Sequence, residues 1–305
     1  MKIYNRFKKL QRKRFNTPVT NVSQTKGKAT KKRNSHCWTN VPEPCESEDL
    51  TAVASKIKKE WQSAKKDHEK SQVLMAACYA SRRSLVLEDV RRIVEVVEMF
   101  PPLKNLLYIK AEFAKVMGNK DVATQVNENF NKVWRHRLLA YAEKNGGKHS
   151  EDLKRMHNAI DSGILEEGEC AGRAAIEIAQ IVFKQPNSRR TPHVKEAVIK
   201  VVKNGAFLDE KIKPQIQPCI LVVDDLYQSD IIYVVAEGIV LCHVTTKKIG
   251  DALVALLATY HMYNIKYIEG MNVHSFLDMA LLGIIPEKCP SSVKSLVGVL
   301  SNVFN

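Results

Sequence analysis

Between Pro218 and Ile285 the chain supplies, in one unbroken stretch, both a sheet and the layer that must cover it. Ile220–Val223 is a four-residue apolar, largely β-branched run of the kind found in strands buried on both faces. Ile231–Ala236 and Ile239–Val244 are two more, and Glu237-Gly238 between them has the chemistry of a two-residue hairpin turn. The pattern Lys247–Tyr263 is helical and sets Ala252, Leu253, Leu256, Leu257 and Tyr260 on one broad face, which would cover that sheet. A second helix, Val273–Leu282, turns Phe276, Leu277, Ala280 and Leu281 inward, and a loosely attached helix runs near Ser291–Phe304. These elements predict a small α+β domain, residues 191–305, with a three-strand sheet covered by helices.

Upstream the period changes to 3.6 throughout. Ser47 followed by Glu48 and Asp49 marks a helix start, where carboxylates meet the positive end of the dipole. In Leu87–Phe100 the residues Val90, Ile93, Val94 and Val97 fall on one helix face, ended by Pro101 and Pro102. The next helix carries Leu106, Leu107, Ile109, Phe113 and Val116 and stops at Gly118-Asn119. Asp121–Glu143 is a longer pattern stopped by Asn145-Gly146-Gly147, and two more follow at Asp152–Ile160 and Glu166–Phe183, the latter rich in small residues suited to close helix packing. A helical domain over 46–184 results. The linker QPNSRRTP at Gln185–Pro192, bracketed by prolines, is the expected boundary, and a short helix over Val194–Lys203 leads to the α+β domain.

Charge separates a third region. Of the net charge of +14, +12 is carried by the first 40 residues, which hold twelve Lys or Arg and no Asp or Glu, leaving 35 basic against 33 acidic residues in the rest. Residues 1–45 show no helical or strand period and are expected to be a disordered basic tail. Two compact clusters, Lys8, Lys9, Arg12, Lys13, Arg14 and Lys31, Lys32, Arg33, suit nuclear import or non-specific phosphate contact, in which each neutralised phosphate releases a counterion. Phe7, Phe15 and Trp38 would add stacking. His36, Cys37 and Cys45 match no structural zinc spacing, and no metal or other cofactor is expected. Seven scattered Cys without a CxxC suit a reducing compartment. The N-terminus lacks a signal-peptide apolar core, and no run of apolar residues is long enough to span a bilayer, so no membrane partner is expected.

The residues that carry chemistry form no catalytic motif: GxSxG, HExxH, GxGxxG and the phosphate-binding loop are all missing. Asp224 and Asp225 end a buried strand, where a metal or phosphoryl acceptor is often held, but the following LYQSD reads as an ordinary polar turn. Cys242 and His243 are strand neighbours and so point to opposite faces, which excludes a direct catalytic pair. His261 lies in an apolar helix, where a satisfied core histidine is the default. Arg82-Arg83 and Arg91-Arg92, with Lys56, Lys58, Lys59, Lys65 and Lys66, would make a basic face, but Glu60, Asp67, Glu69, Glu88 and Glu95 interleave with them and favour a mixed, solvated surface.

The phrase LVVDD, a short polar insert, an apolar hairpin, the helix DALVALLATYHMYNIKY and the closing FLDMALLGI resemble the C-terminal part of a group of fish proteins described as "sterile alpha motif domain-containing protein 3-like". Tyr79-Ala80-Ser81-Arg82-Arg83, then LVLEDVRRIVEVVEMFPPL and IKAEFAKVM, resemble the same group, so the likeness covers most of 47–285 in order. Phe100 stands where the group has Trp or Tyr before the proline, and no sterile alpha motif domain is visible. The resemblance implies a fold and a nuclear, multi-domain context, and no activity. The expectation is a multi-domain, mainly α protein without catalytic residues, nuclear or cytoplasmic, whose tail binds DNA or RNA without sequence specificity while its folded domains bind protein partners or self-associate. One alternative is a mobile-element-derived protein that assembles and packages RNA, separable by light scattering. Another is an enzyme built on Asp224 and Asp225 at the strand end.

Overall fold

A computed structural model describes residues 49–65, 67–87, 91–183, 198–203, 208–267, 272–287 and 289–302. The basic tail and the proline-bracketed linker lie outside the described residues. The fold is mainly helical, with one four-stranded mixed sheet in its C-terminal part.

The organising element is α11, Ile249–Met262. Every one of its fourteen residues is buried. The sequence IGDALVALLATYHM explains this, because its apolar residues run around the whole circumference rather than along one stripe, and such a helix must be covered on all sides. One side lies on strands β2, Cys219–Val223, and β3, Ile232–Ala236. The other sides are covered by α5, Leu106–Met117, α6, Val122–Glu128, and α9, Glu167–Val182. The expected single sheet-covering face is therefore corrected to full burial. A single core runs from Ile57, Phe100 and Phe113 through Ala175 to Ile220, Leu256 and Phe276, so the described residues on both sides of the expected boundary share it.

The sheet has the order β1-β2-β3-β4, with β4 at Ile239–His243. Strand β1, Ile199–Val202, pairs parallel with β2, and the other two pairings are antiparallel. The predicted three strands become four, because β1 takes the place of the C-terminal half of the helix expected at Val194–Lys203. Its β-branched IKVV run fits a pleated edge better than a helix. The parallel step needs a crossover, made by the short helix α10, Leu208–Ile212. That helix covers the sheet face opposite α11, closing Ile212 over Cys219, Leu221, Val223 and Val235. The β3–β4 turn has φ of 49° at Glu237 and 77° at Gly238, both left-handed, as a type I′ hairpin requires.

The remaining helices are α1, Leu50–Gln62, α2, His68–Ala77, α3, Tyr79–Leu87, α4, Ile93–Met99, α7, Arg135–Lys144, α8, Ser150–Ser162, α12, Asn272–Leu277, and α13, Ser291–Asn302. Asp49 caps α1 by accepting from Thr51 N–H at 2.9 Å. The helix expected from Leu87 begins at Ile93, with Arg92 extended at its N-cap, and Pro101 opens a 3₁₀ turn beyond it. Gly118 ends α5 in the left-handed conformation, φ 63°, as its sequence position implied. Two helices each contain a π-helical segment, Asn129–Trp134 between α6 and α7 and Asp278–Leu282 after α12. The two segments face each other. Asn129 Nδ2 donates to Leu281 O at 2.9 Å, and Trp134 meets Phe276 edge-on at 5.4 Å, so one widened turn supplies a donor to a carbonyl of the other.

Candidate functional site: the polar network around the buried helix

A helix buried on all sides must have its terminal N–H and C=O groups satisfied from within the protein. At the N-terminus of α11 the Glu169 carboxylate accepts from Ile249 N–H at 2.9 and 3.1 Å, placing a negative charge at the positive end of the dipole. Glu169 is held in turn by Arg173, whose Nε donates to Glu169 Oε1 at 2.9 Å. The Arg173 side chain is fully buried, and its Nη1 donates to Leu226 O at 2.7 Å and Ser229 O at 2.6 Å, tying the β2–β3 loop to α9 and α11. Asp251, in the first turn, accepts from Lys110 Nζ at 2.6 Å and from Asn127 Nδ2 at 3.3 Å.

The C-terminus of α11 is closed by Arg83, whose Nη1 donates to Met262 O at 2.6 Å and lies 3.3 Å from His261 O. His261 Nε2 sits 3.2 Å from Asp278 Oδ1 with both side chains 2% exposed, and its ring stacks on Phe113 at 5.8 Å. Tyr260 donates to Pro218 O at 3.1 Å, and its ring packs with those of Tyr267 and His274, each pair of centroids within 5 Å. Burial, reinforced by the nearby Asp278 carboxylate, pushes the Tyr267 phenol well above its ordinary range.

Arg82, next to Arg83, turns to a second task. It forms a bidentate pair with Glu112, Nε to Oε1 at 3.1 Å and Nη2 to Oε2 at 2.6 Å, and its Nη1 donates to Met75 O at 3.1 Å. Both side chains are buried. The two arginines are therefore internal and contribute nothing to a basic outer face. Lys56, Lys58, Lys59 and Lys65 are exposed, and Glu60 among them pairs with Lys70 at 2.6 Å, the mixed surface expected.

Asp224 and Asp225 are both exposed. Asp225 Oδ1 accepts from Tyr227 N–H at 2.8 Å, an Asx turn, and Asp224 has a left-handed φ of 68°. Among the described residues no group of three or more His, Cys, Asp or Glu is placed to hold a metal ion. The Asp225 contact is that of a polar turn. Cys242 is buried, its thiol pushed up to about 12 by desolvation, while His243 is exposed on the opposite face. The eight basic residues Lys8, Lys9, Arg12, Lys13, Arg14, Lys31, Lys32 and Arg33 lie outside the described residues. Sequence reasoning missed Glu112, Arg173, Glu169 and Asp251. Glu112 had a legible signal, since it falls between Ile109, Phe113 and Val116 on the apolar stripe of α5.

The electrostatics of Asp251 give a pH expectation. Burial raises its carboxyl, but hydrogen bonds from Lys110, Thr246 and Asn127 outweigh that and leave it below the ordinary range. A depressed carboxyl contributes stability above its unfolded pKa of about 3.9, and that contribution is lost as pH falls through the lower folded value. Asp251→Asn lowers the unfolding free energy by about 1–3 kcal/mol at pH 7, with a smaller deficit at pH 3. Urea titrations at the two pH values measure both, and an equal deficit at each would contradict the assignment.

Chemically, the network is a set of internal caps and pairs. No family model matches the chain, and comparison with curated proteins and with solved structures found no match.

Proposed function

We propose that the protein is a non-enzymatic nuclear interaction protein, in which the N-terminal basic segment contacts nucleic acid without sequence specificity and the folded part binds protein partners or a second copy of itself. The observation that carries this reading is the charge partition: twelve cations and no carboxylate in the first 40 residues, against near neutrality elsewhere. A segment so composed binds phosphate through counterion release and needs no fixed geometry. The internal engagement of Arg82, Arg83, Arg173, Glu112, Glu169, Asp251 and Asp278 supports the non-enzymatic part, since these groups serve the fold.

The test is binding of a labelled, mixed-sequence oligonucleotide to the full chain and to a chain lacking residues 1–40, over a range of salt. The full chain binds with log K falling against log salt at a slope of about −7 if the eight clustered cations each meet a phosphate of duplex DNA. Deleting residues 1–40 abolishes the binding. Undiminished affinity after the deletion, or no binding by the full chain, would overturn the reading.

A further inference from the structure

The β3–β4 turn carries a residue that its backbone geometry does not favour. A type I′ turn takes Asn, Asp or Gly where φ is positive, yet its first central position is Glu237, at φ 49°. A left-handed glutamate persists only where its surroundings fix it. The backbone does so in part: Glu237 N–H donates to Ile216 O at 3.1 Å and Gly238 N–H to Gln215 O at 2.8 Å. The side chain does the rest. It is 16% exposed and faces the start of α4, where it meets the N–H groups of Val94 and Ile93. Its Oε2 is shut off from solvent and lies 3.8 Å from Arg92 Nε, beyond hydrogen-bond reach, and among the described residues it accepts no hydrogen bond. A carboxylate so placed has given up water without full replacement.

We infer that Glu237 is a proton-controlled clasp between the hairpin tip and the start of α4, looser with its carboxylate ionised and tighter with its carboxyl protonated. The groups facing it set the sign. Burial raises the carboxyl; Arg92, at the N-cap of α4, and the N–H groups of Val94 and Ile93 lower it, and Glu95 in the first turn of α4 raises it again. Tyr263, at the end of α11, faces the same carboxylate with a phenol that burial raises and keeps neutral. Lys104, in the 3₁₀ turn beside β4, is exposed, and Lys213 sets its backbone against Gly238. The balance leaves the Glu237 carboxyl above its ordinary 4.5. The folded chain then holds this proton more firmly than the unfolded one. The contribution to stability is full below the unfolded pKa and is lost as pH rises through the folded value. Asp251 behaves in the opposite sense, so mild acid tightens the hairpin contact before it weakens the α11 cap. The clasp is independent of the function proposed above.

Amide hydrogen exchange of the full chain, read over 93–96 and 236–239 and corrected for the intrinsic pH dependence of exchange, tests it. Between pH 7 and pH 5 the parent gains protection over both segments by about twofold or more relative to Glu237→Gln. Glu237→Gln mimics the protonated acid and is as protected at pH 7 as at pH 5. Glu237→Asn suits the turn but is too short to reach α4, so it keeps the protection over 236–239, loses it over 93–96, and shows no response to pH in either segment. Should Glu237→Gln fail to fold, the parent against Glu237→Asn at the two pH values decides the matter. Parallel behaviour of parent and variants at both pH values, or full protection over 93–96 in Glu237→Asn, overturns the inference.

Discussion

Glu112→Gln lowers the unfolding free energy by about 3–5 kcal/mol, because it leaves the Arg82 guanidinium buried without its counter-charge. Arg82 is 1% exposed, and its geometry with Glu112 is bidentate, so neither water nor a neighbouring carboxylate takes over. For a chain of this size the corresponding fall in Tm is about 6–20 °C. The double replacement Arg82→Met with Glu112→Leu costs much less than Glu112→Gln alone, since apolar groups of similar volume remove the desolvation penalty along with the attraction. Denaturant titrations of the two variants and the parent measure this. A Glu112→Gln deficit under about 1 kcal/mol would show that the pair is open to solvent.

Arg173→Met is the second large expected effect, about 3–5 kcal/mol, and it has a local signature. The guanidinium is shared by Glu169, Leu226 O and Ser229 O, so its loss frees the β2–β3 loop and leaves the Glu169 carboxylate with only the α11 N-terminus. Amide hydrogen exchange over 224–231 and over the first turn of α11 accelerates beyond what the global loss of stability predicts. Exchange that rises evenly across the molecule would assign Arg173 to general packing alone.

The elements that sequence revealed were those whose signal is local. The Glu237-Gly238 turn needed two left-handed residues and has them; Gly118 ended its helix as placed; the runs at 220–223 and 239–244 became β2 and β4 with small shifts at their ends. Misreadings arose where long-range pairing decides. Ile199–Val202 looks helical when read with the residues before it, and becomes a strand because β2 offers it a parallel partner. Arg82-Arg83 looked like surface charge because adjacency in sequence was read as adjacency on a face. On α3 the two side chains diverge, one to Glu112 and the other to the end of α11. The clue was present in α11 itself, since a helix with no polar side needs its caps supplied from distant segments. Arg83, Glu169 and Arg173 are what supplied them.

The enclosure of α11 also bears on how such a chain can change over generations. Its residues touch the sheet on one side and, on the others, α9 together with α5 and α6, the last two more than a hundred positions upstream. A larger side chain at Gly250 would meet Asn127, where an added Cβ lies 2.3 Å from Oδ1, and one at Gly172 would meet Ile249 at 2.8 Å. Substitutions along α11 must therefore be matched simultaneously in two segments far apart in the sequence. The helical and sheet-bearing halves are bound to be inherited as one unit, and recombination between them would join surfaces that do not fit.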